Sequence, residues 1–233
     1  MLTRWVFFLA ALTITTVAIA APDNAQIKRI TLDYDVTRDG KPFATVKEQF
    51  KLDGDQYQIE SVTKGKGFYA LFGERKLVST GQLTAEGLKP KRFEQHQSDS
   101  PNKSLIADFD WTNQQLTMQS KGKNKVAVLA QHTQDLLSYA YQFRYQPPKQ
   151  STVNITLTTG KKLNQYEYAI DQKAETIQAA NANYKTIRLS YQGATDKKQI
   201  WLAKDDHFLP VRYQIEDESK GVLMQTLTKV YVE

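Results

Sequence analysis

Alternation of apolar and polar residues with a period of two constrains the fold of this chain more than any other feature. Ile30, Leu32, Tyr34 and Val36 alternate with polar residues, which is typical of a strand with one wet face. The Asp39-Gly40 pair that follows suits a hairpin turn. The predicted return strand runs through Ala44, Val46, Glu48, Phe50 and Leu52.

Turn signals recur at intervals of about eight to twelve residues along the rest of the chain, as in "WTNQQ", "SKGKNK" and "YQGATDKK". This spacing favours a mainly β protein, with a large curved antiparallel sheet of ten or more strands forming a half-barrel or open barrel. Neither a Gly-rich linker nor an internal repeat divides the sequence. We therefore expect residues 21–233 to form a single β-rich domain.

One segment, at about residues 133–145, has helical instead of strand periodicity. Thr133 is a suitable N-cap, and Pro147-Pro148 would end the helix. We expect the apolar stripe of this helix to pack on the concave face or the open end of the sheet. The stripe consists of Leu136, Leu137, Ala140, Tyr141 and Arg144.

The N-terminus has the pattern of a secretory signal peptide. Arg4 precedes an apolar run, and Ala18-Ile19-Ala20 is the small-x-small pattern that a signal peptidase recognises. A membrane anchor is the alternative, but the run is short and rich in threonine, and no cationic stop-transfer cluster follows. We predict that residues 1–20 are removed, that the mature chain is periplasmic, and that no transmembrane segment remains.

Charge and cysteine content narrow the classes of partner. The formal charge of +6 becomes +5 when Arg4 is lost with the signal. Outside the cytoplasm this favours anionic lipid head groups or wall polyanions, although an ordinary basic surface explains it equally well. The cations are scattered singly, so we expect no nucleic-acid partner. The chain has no cysteine, which excludes disulfides, thiol catalysis and a lipid-modified cysteine at the cleavage site.

The stretch "KGKGFYALFGERK" raises the sharpest question about function. Phe68, Leu71 and Phe72 have the i, i+3, i+4 spacing of one helical turn, although the surrounding glycines also permit a strand. These aromatics could fill the mouth of the barrel as ordinary core. They could instead form a mobile flap over a hydrophobic cavity, or a tip that enters a bilayer, for which the flanking lysines and arginine are suited.

Catalytic and metal-binding motifs are missing from the sequence, including a G-x-S-x-G elbow, a phosphate loop and His-rich ligand spacings. Three weak sets remain: the turn Asp205–Pro210; the helical set His132, Asp135 and Ser138; and the strand pair Asp108 and Asp110. Each is explained more simply, as an Asx-type turn, a capping region and a wet strand face respectively. We expect no enzyme activity, no cofactor and no metal site.

Four segments carry a family resemblance. In order, they are "GLKPKRF" (Gly87–Phe93), "ADFDW" (Ala107–Trp111), "QDLLSYAYQFR" (Gln134–Arg144) and "WLAKDDHFLPVRYQIED" (Trp201–Asp217). Together they resemble an exported bacterial family, mostly Gram-negative, that is known only as a domain of unknown function. The resemblance implies a periplasmic β-rich protein and supplies no catalytic residues. More loosely, the expected fold is similar to the half-barrels that carry lipoproteins or sense envelope stress.

Our leading functional hypothesis is a periplasmic protein that binds an apolar or amphipathic ligand, such as a lipid, acyl chain or lipopeptide, in a concave β cavity. Arg212 could reach into this cavity to meet an anionic head group, or could face water. The aromatic residues expected to line the cavity are Phe68, Phe72, Phe109, Trp111, Tyr141 and Trp201. The alternative is an envelope scaffold that binds another protein through a sheet edge or the helix.

Overall fold

The structure is a computed structural model that describes residues 27–233. The predicted signal peptide, residues 1–20, lies outside the described residues. The fold is mainly β, as predicted, and its described part contains sixteen strands. These are β1 Arg29–Arg38, β2 Lys41–Asp53, β3 Gln56–Gly65, β4 Glu74–Thr84, β5 Gly87–Gln97, β6 Leu105–Asp110, β7 Gln115–Ser120, β8 Lys123–Val128, β9 Gln134–Asp135, β10 Thr152–Thr158, β11 Leu163–Asp171, β12 Thr176–Ala179, β13 Ala182–Gln192, β14 Asp196–Ala203, β15 Leu209–Asp217 and β16 Gly221–Val232.

The strands form one open sheet that does not close on itself. Its order is β8-β7-β6-β5-β4-β3-β2-β1-β16-β15-β14-β13-β11-β10-β9, and β12 pairs with β13 off this path. The first and last long strands therefore pair in the middle of the sheet. The pairings are antiparallel except for the short parallel pairing of β9 with β10. This confirms the large antiparallel open sheet predicted from the alternation.

The predicted alternation separates buried from exposed positions along each long strand. On β3, Tyr57, Ile59 and Ser61 are buried, while the residues between them are more exposed. Glu48 occupies one of the buried positions of β2 and is only 6% exposed. The inward side chains form two clusters, one centred on the β1–β7 strands and the other on β10, β11, β13 and β14. Alternation thus determines which face becomes core, regardless of whether each residue is apolar.

The helix begins later than predicted. The helix α1 covers Ser138–Tyr145, whereas the prediction began near residue 133. Gln134 and Asp135 are instead paired with β10 as β9, and the Thr133 hydroxyl donates to the carbonyl of Ala130. Thr133 therefore closes a preceding turn and is not the N-cap. Within residues 27–233, none of the helices has the length and apolar character needed to cross a bilayer.

The sheet has two distinct ends. At the helix end lie α1, the β2–β3, β4–β5 and β6–β7 turns, and the start of the described chain, where Lys28 N–H donates to the carbonyl of Glu233 at 2.9 Å. At the tip end lie the β1–β2 and β7–β8 turns and the β3–β4 connection. That connection is a 3-10 turn, Gly67–Phe72, which we call the aromatic tip.

Candidate functional site

A buried polar network fixes the start of α1. Asp135 Oδ1 accepts hydrogen bonds from the backbone N–H groups of Leu137 and Ser138, at 2.8 and 2.9 Å. Ser138 Oγ in turn accepts from Asp135 N–H at 3.0 Å. This reciprocal arrangement is how a helix start satisfies its free N–H groups. Asp135 and Ser138 therefore engage each other and the backbone immediately before α1, which agrees with the interpretation of this set as a capping region.

The same network ties α1 to the sheet. Ser79 on β4 donates its hydroxyl to Asp135 Oδ2 at 2.6 Å, and Tyr57 lies within 3.3 Å of Ser79 Oγ. Burial raises the pKa of Asp135, because removal from water disfavours the carboxylate, although these hydrogen bonds oppose the shift. The position of α1 thus depends on a fully buried acid.

A second buried acid lies beneath α1. Tyr141 donates its hydroxyl to Glu48 Oε2 at 3.2 Å, and the Tyr141 ring stacks on Phe50 with centroids 5.5 Å apart. Burial raises the pKa of Glu48 to about 7, while hydrogen bonds from Tyr141, Gln225 and Ser61 favour the charged form. This part of the concave face is filled by the protein's own side chains, so it offers no open trough.

An open cavity of about 420 Å³ lies beside α1, between the β4–β5 turn and β10, and we call it the α1 cleft. One wall is apolar and comprises Tyr139 and Phe143 of α1 with Val153 and Ile155 of β10. The rest of the lining is largely polar and consists of Ala85, Glu86, His132, Gln134, Gln142, Gln146 and Asn154. The cleft therefore presents an apolar surface and hydrogen-bonding groups to the same occupant.

Two of the cleft glutamines hold the β4–β5 turn against α1. Gln142 accepts from Leu88 N–H at 2.6 Å and donates to the Glu86 carbonyl at 3.0 Å. Gln146 donates to the Ala85 carbonyl at 3.1 Å. A Cβ at Gly87 would lie 2.4 Å from Gln142 Oε1, so only glycine permits this approach. The β4–β5 turn and α1 are therefore held together by hydrogen bonds and form one side of the α1 cleft.

Gln134 is the exception among these amides. Its Nε2 donates to the Leu88 carbonyl at 3.0 Å, but its Oε1 is buried and has no hydrogen-bond partner within the described part of the chain. The residue is only 3% exposed. A buried acceptor without a donor is costly, so Gln134 marks a place where a donor from an occupant would be stabilising.

A smaller cavity of about 300 Å³ adjoins the α1 cleft, and both are lined by Glu86 and His132. Trp111 forms part of it, donating Nε1–H to the Pro90 carbonyl at 2.6 Å, with Lys89 Nζ 5.2 Å from the ring centre. His132 Nδ1 and Glu86 Oε2 are 3.9 Å apart on the ridge between the two cavities. Both of these side chains are largely exposed.

The structure does not bring the seven predicted ligand-lining residues together. Phe109 and Tyr141 are buried in the core, and Phe109 stacks against Trp111 with ring centroids 6.0 Å apart. Phe68 and Phe72, in the aromatic tip, are 71% and 51% exposed. The interpretation of these two as core at a barrel mouth is therefore wrong.

Trp201 and Arg212 lie elsewhere again. They are cross-strand partners on β14 and β15, and the Arg212 guanidinium lies 5.8 Å from the Trp201 ring centre. Trp201 is also opposite Arg188, whereas its neighbours Ile200 and Leu202 join the core cluster of α1. Trp201 therefore points away from the face that α1 covers, and its ligand-lining role stays a prediction.

The weak chemical sets do not assemble into a centre. Asp108 accepts from Arg92 at 2.6 Å, and Asp110 accepts from Asn113, which lowers the pKa of Asp110. Asp205 faces Lys185 at 3.8 Å. Across residues 27–233, no group of three or more His, Asp or Glu side chains is placed to hold a metal ion.

Comparison with family models matches residues 33–228 to the family described as a protein of unknown function, DUF3108. The chain belongs to the DUF3108 family. This confirms the predicted membership of a domain-of-unknown-function family.

The search of curated proteins gives no match to this chain. A solved structure from Bacteroides fragilis, described as a candidate exported protein with a YmcC-like fold, is 11% identical, with 88% of this chain and 96% of that chain covered. The TM-score between the two structures is 0.38.

Sequence reasoning missed one residue of the α1 cleft and one buried acid beneath α1. Gln134 lies inside the predicted helix of residues 133–145, where a glutamine is ordinarily a solvent-exposed side chain. Glu48 could have been found, because the alternation that places Val46 and Phe50 inward also places Glu48 inward. An acid at an inward strand position is a sequence signal for a buried polar site.

Proposed function

We propose that this DUF3108 member is a periplasmic binding protein that holds an amphipathic ligand in the α1 cleft. The observation that carries the proposal is Gln134 Oε1, a buried acceptor without a partner beside an apolar wall. The cleft volume of about 420 Å³ falls within the size range of small-molecule sites. The secretory pattern of residues 1–20 supports placement outside the cytoplasm.

The polar groups of the cleft select the ligand head. Gln134 Oε1 can only accept, so the ligand must donate a hydrogen bond, as a hydroxyl or an amide N–H does. The Glu86 carboxylate at the mouth disfavours an anionic head. The ligand class that fits is a single acyl chain with a hydroxyl or amide head, such as a monoacylglycerol or an N-acyl amine.

The apolar groups of the cleft receive the chain. Phe143 and Ile155 are buried members of the second core cluster, and Tyr139 and Val153 pack against it at the rim. An acyl chain on this wall extends an existing core, which makes its burial favourable. The groups facing the cleft are mainly amides and apolar side chains, so we propose binding and not catalysis.

Calorimetric titration with monolaurin and with laurate tests both parts of the proposal. Monolaurin is expected to bind about tenfold more tightly at neutral pH, because it supplies a hydroxyl and lacks the carboxylate. Equal affinity for the two would remove the role of Gln134. Absence of binding by both, together with no lipid in an organic extract of the purified protein, would remove the function.

A blocking variant locates the site. Asn154→Trp places a large ring on an exposed residue of the cleft lining and is expected to abolish monolaurin binding without unfolding the protein. Asn183→Trp is the matched control, since Asn183 is equally an exposed strand residue but lies on β13, away from the cleft. Binding retained by Asn154→Trp, or lost by Asn183→Trp, would place the ligand elsewhere.

A second candidate function is recognition of an extended protein segment at β8. This strand ends the sheet order, and its Val126 and Val128 side chains are 57% and 77% exposed. Free strand edges can accept another strand, although Lys123 and Lys125 are of the type that blocks such pairing. Val126→Lys should abolish capture of an envelope protein if this is the function, and should leave monolaurin binding unchanged.

A further inference from the structure

The aromatic tip exposes three large apolar side chains at one point. Phe68, Leu71 and Phe72 are 71%, 75% and 51% exposed. The Phe68 and Phe72 rings contact each other edge to face, with centroids 5.7 Å apart. Single exposed apolar residues are ordinary, but a contiguous projecting group marks a surface that meets an apolar partner.

The tip is held in this exposed position by the sheet. Lys66 N–H donates to the Phe43 carbonyl at 2.8 Å, and the Tyr69 ring packs on Phe43 at 4.5 Å between centroids. The Arg38 guanidinium lies over the Phe43 ring, 4.1 Å from the ring centre. Tyr69 thus anchors the turn, and its ring contacts the Phe68 and Phe72 rings at centroid distances of 6.3 and 6.4 Å, so the anchor supports the exposed group from beneath.

Acids neutralise three of the four cations closest to the tip, so these three do not indicate what the tip binds. Lys64 pairs with Glu74 at 2.7 Å, Lys66 with Asp35 at 2.8 Å, and Lys76 with Glu60 at 2.8 Å. Three of the four flanking cations are therefore electrically balanced, whereas the fourth, Arg75, donates to the neutral Gln95 side chain.

A second, outer set of lysines at the same end is not balanced. Six exposed lysines lie in or directly beside the connections at this end, and within residues 27–233 none of them makes an ion pair. They are Lys41, Lys103, Lys121, Lys123, Lys161 and Lys162, which we call the lysine rim. The acids at this end without an ion pair are fewer, namely Asp39, Asp99 and Glu218. The tip therefore projects from a surface with excess positive charge.

The lysine rim extends to one side of the tip through direct contacts. Gln97 donates to the Phe72 carbonyl at 3.0 Å, which joins the tip to the connection that carries Lys103. Lys103 and Lys121 line the same open cavity. Gly160, beside Lys161, would place a Cβ 3.1 Å from Leu105 Cβ, so this turn also borders the rim.

We propose that the aromatic tip inserts into the interface of an anionic lipid bilayer, with the lysine rim against its head groups. A bilayer interface accepts a convex apolar projection, because acyl chains adapt to its shape. Anionic head groups complement the rim lysines, whose long side chains can reach them. This site lies at the opposite end of the sheet from the α1 cleft and shares no residue with it, so it is independent of the proposed function.

Vesicle co-sedimentation tests the tip. The exported chain, with its first residue established by intact mass, is mixed with vesicles of phosphatidylethanolamine containing a quarter phosphatidylglycerol. Phe68→Ser combined with Phe72→Ser is expected to weaken binding about tenfold. Val128→Ser is the matched control, an exposed apolar residue at the helix end, and should bind like the wild type. Unchanged binding by the tip variant, or no vesicle binding by the wild type, would overturn the proposal.

Charge substitutions test the rim. Lys103→Gln, Lys121→Gln and Lys123→Gln together are expected to lower binding to the anionic vesicles about tenfold, and high salt should produce a similar loss in the wild type. Lys149→Gln, Lys173→Gln and Lys204→Gln remove the same charge from the helix end and should have little effect. Equal losses from the two triple variants would show that net charge alone acts, which overturns the local assignment.

A fluorescent substitution gives a direct reading of depth. Phe68→Trp should show a blue-shifted emission with the anionic vesicles and quenching by brominated lipid, since the indole enters the interface. Emission that does not change with vesicles, or tip-dependent cross-linking to an envelope protein without vesicle binding, would overturn the lipid proposal.

Discussion

The two ends of the sheet expose apolar side chains in opposite ways. At the helix end, Tyr139 and Phe143 form a concave wall beside a buried amide that lacks a donor. At the tip end, Phe68 and Phe72 project from a convex turn with no buried polar group among them. A concave site with a placed polar group selects a small molecule, whereas a convex apolar projection suits a deformable surface.

The difference originates in the connections and not in the strands. The β4–β5 turn is tied by Gln142 and Gln146 to a helix, which leaves a gap against β10. The β3–β4 connection has no helix over it and closes on itself as a 3-10 turn. Strand alternation builds the same core beneath both ends, so each end can be altered without the other.

Asp135→Ala should break the helix end alone, and it has the largest expected effect. It leaves the N–H groups of Leu137 and Ser138 and the Ser79 hydroxyl without their acceptor, at a cost of about 4 kcal/mol in the free energy of unfolding. Urea unfolding measures the loss, and amide hydrogen exchange should show faster exchange in α1 than at the tip. Asp135→Asn keeps one acceptor oxygen and should lose less. Equal losses from both variants would contradict the capping role.

Glu48→Gln should sharpen the contrast between the two ends by changing how the free energy of unfolding depends on pH. Burial raises the pKa of Glu48 in the folded protein to about 7, so the folded protein binds a proton more tightly than the unfolded chain. Wild-type stability should therefore fall as pH rises from about 5 to about 8, by at most about 3 kcal/mol. Glutamine lacks this titration, so the variant should gain relative stability across that range and none at lower pH. Parallel pH profiles of unfolding free energy would contradict this.

Gly65→Ala tests how rigidly the tip is held. A Cβ at Gly65 would lie 2.2 Å from the Tyr69 carbonyl oxygen, so the turn must shift, at an expected cost of about 2 kcal/mol. Thermal unfolding measures the cost, and ligand binding in the α1 cleft should not change. Gly54→Ala is a useful comparison, because Gly54 has free space but a φ of 58°, which isolates backbone strain from collision. An unchanged melting temperature for Gly65→Ala would show that the tip is loosely held.

Phe68→Ser with Phe72→Ser should have the smallest effect on stability. Both side chains are exposed, so the free energy of unfolding should change by less than about 0.5 kcal/mol. Urea unfolding with unchanged slope would verify this. A loss comparable to that of a core substitution would mean that the tip packs against the protein, which would remove the contrast between the two ends.

The sheet was predictable because strand alternation is a local signal, and the apolar positions that it marks are the ones that become buried. Ile30, Leu32 and Tyr34 are buried as the period of two requires. The helix start was predicted too early because Gln134 and Asp135 fit both a helix and the observed pairing with β10. That pairing is a contact between distant parts of the chain, and a periodic pattern contains no information about it.

The candidate site was less predictable, because it depends on which faces meet. Trp201 was expected inside the curve, but the register shifts between Trp201 and Leu202, and both faces of β14 are buried there. Burial on both sides makes the alternation ambiguous. The exposure of Phe68 could not be deduced either, since its spacing fits both a helix and a strand. Neither pattern specifies whether another part of the chain packs on this side chain.

The pairing of β1 with β16 has a consequence for how the chain acquires its structure. Arg29 and Glu233 are hydrogen-bonded across a separation of 204 residues, at the seam where the two halves of the sheet join. Until β16 is available, the β1 edge has no neighbour on that side, so the two halves of the sheet can join only after β16 has been synthesised. Removal of β16 would leave two half-sheets with bare edges, each prone to self-association.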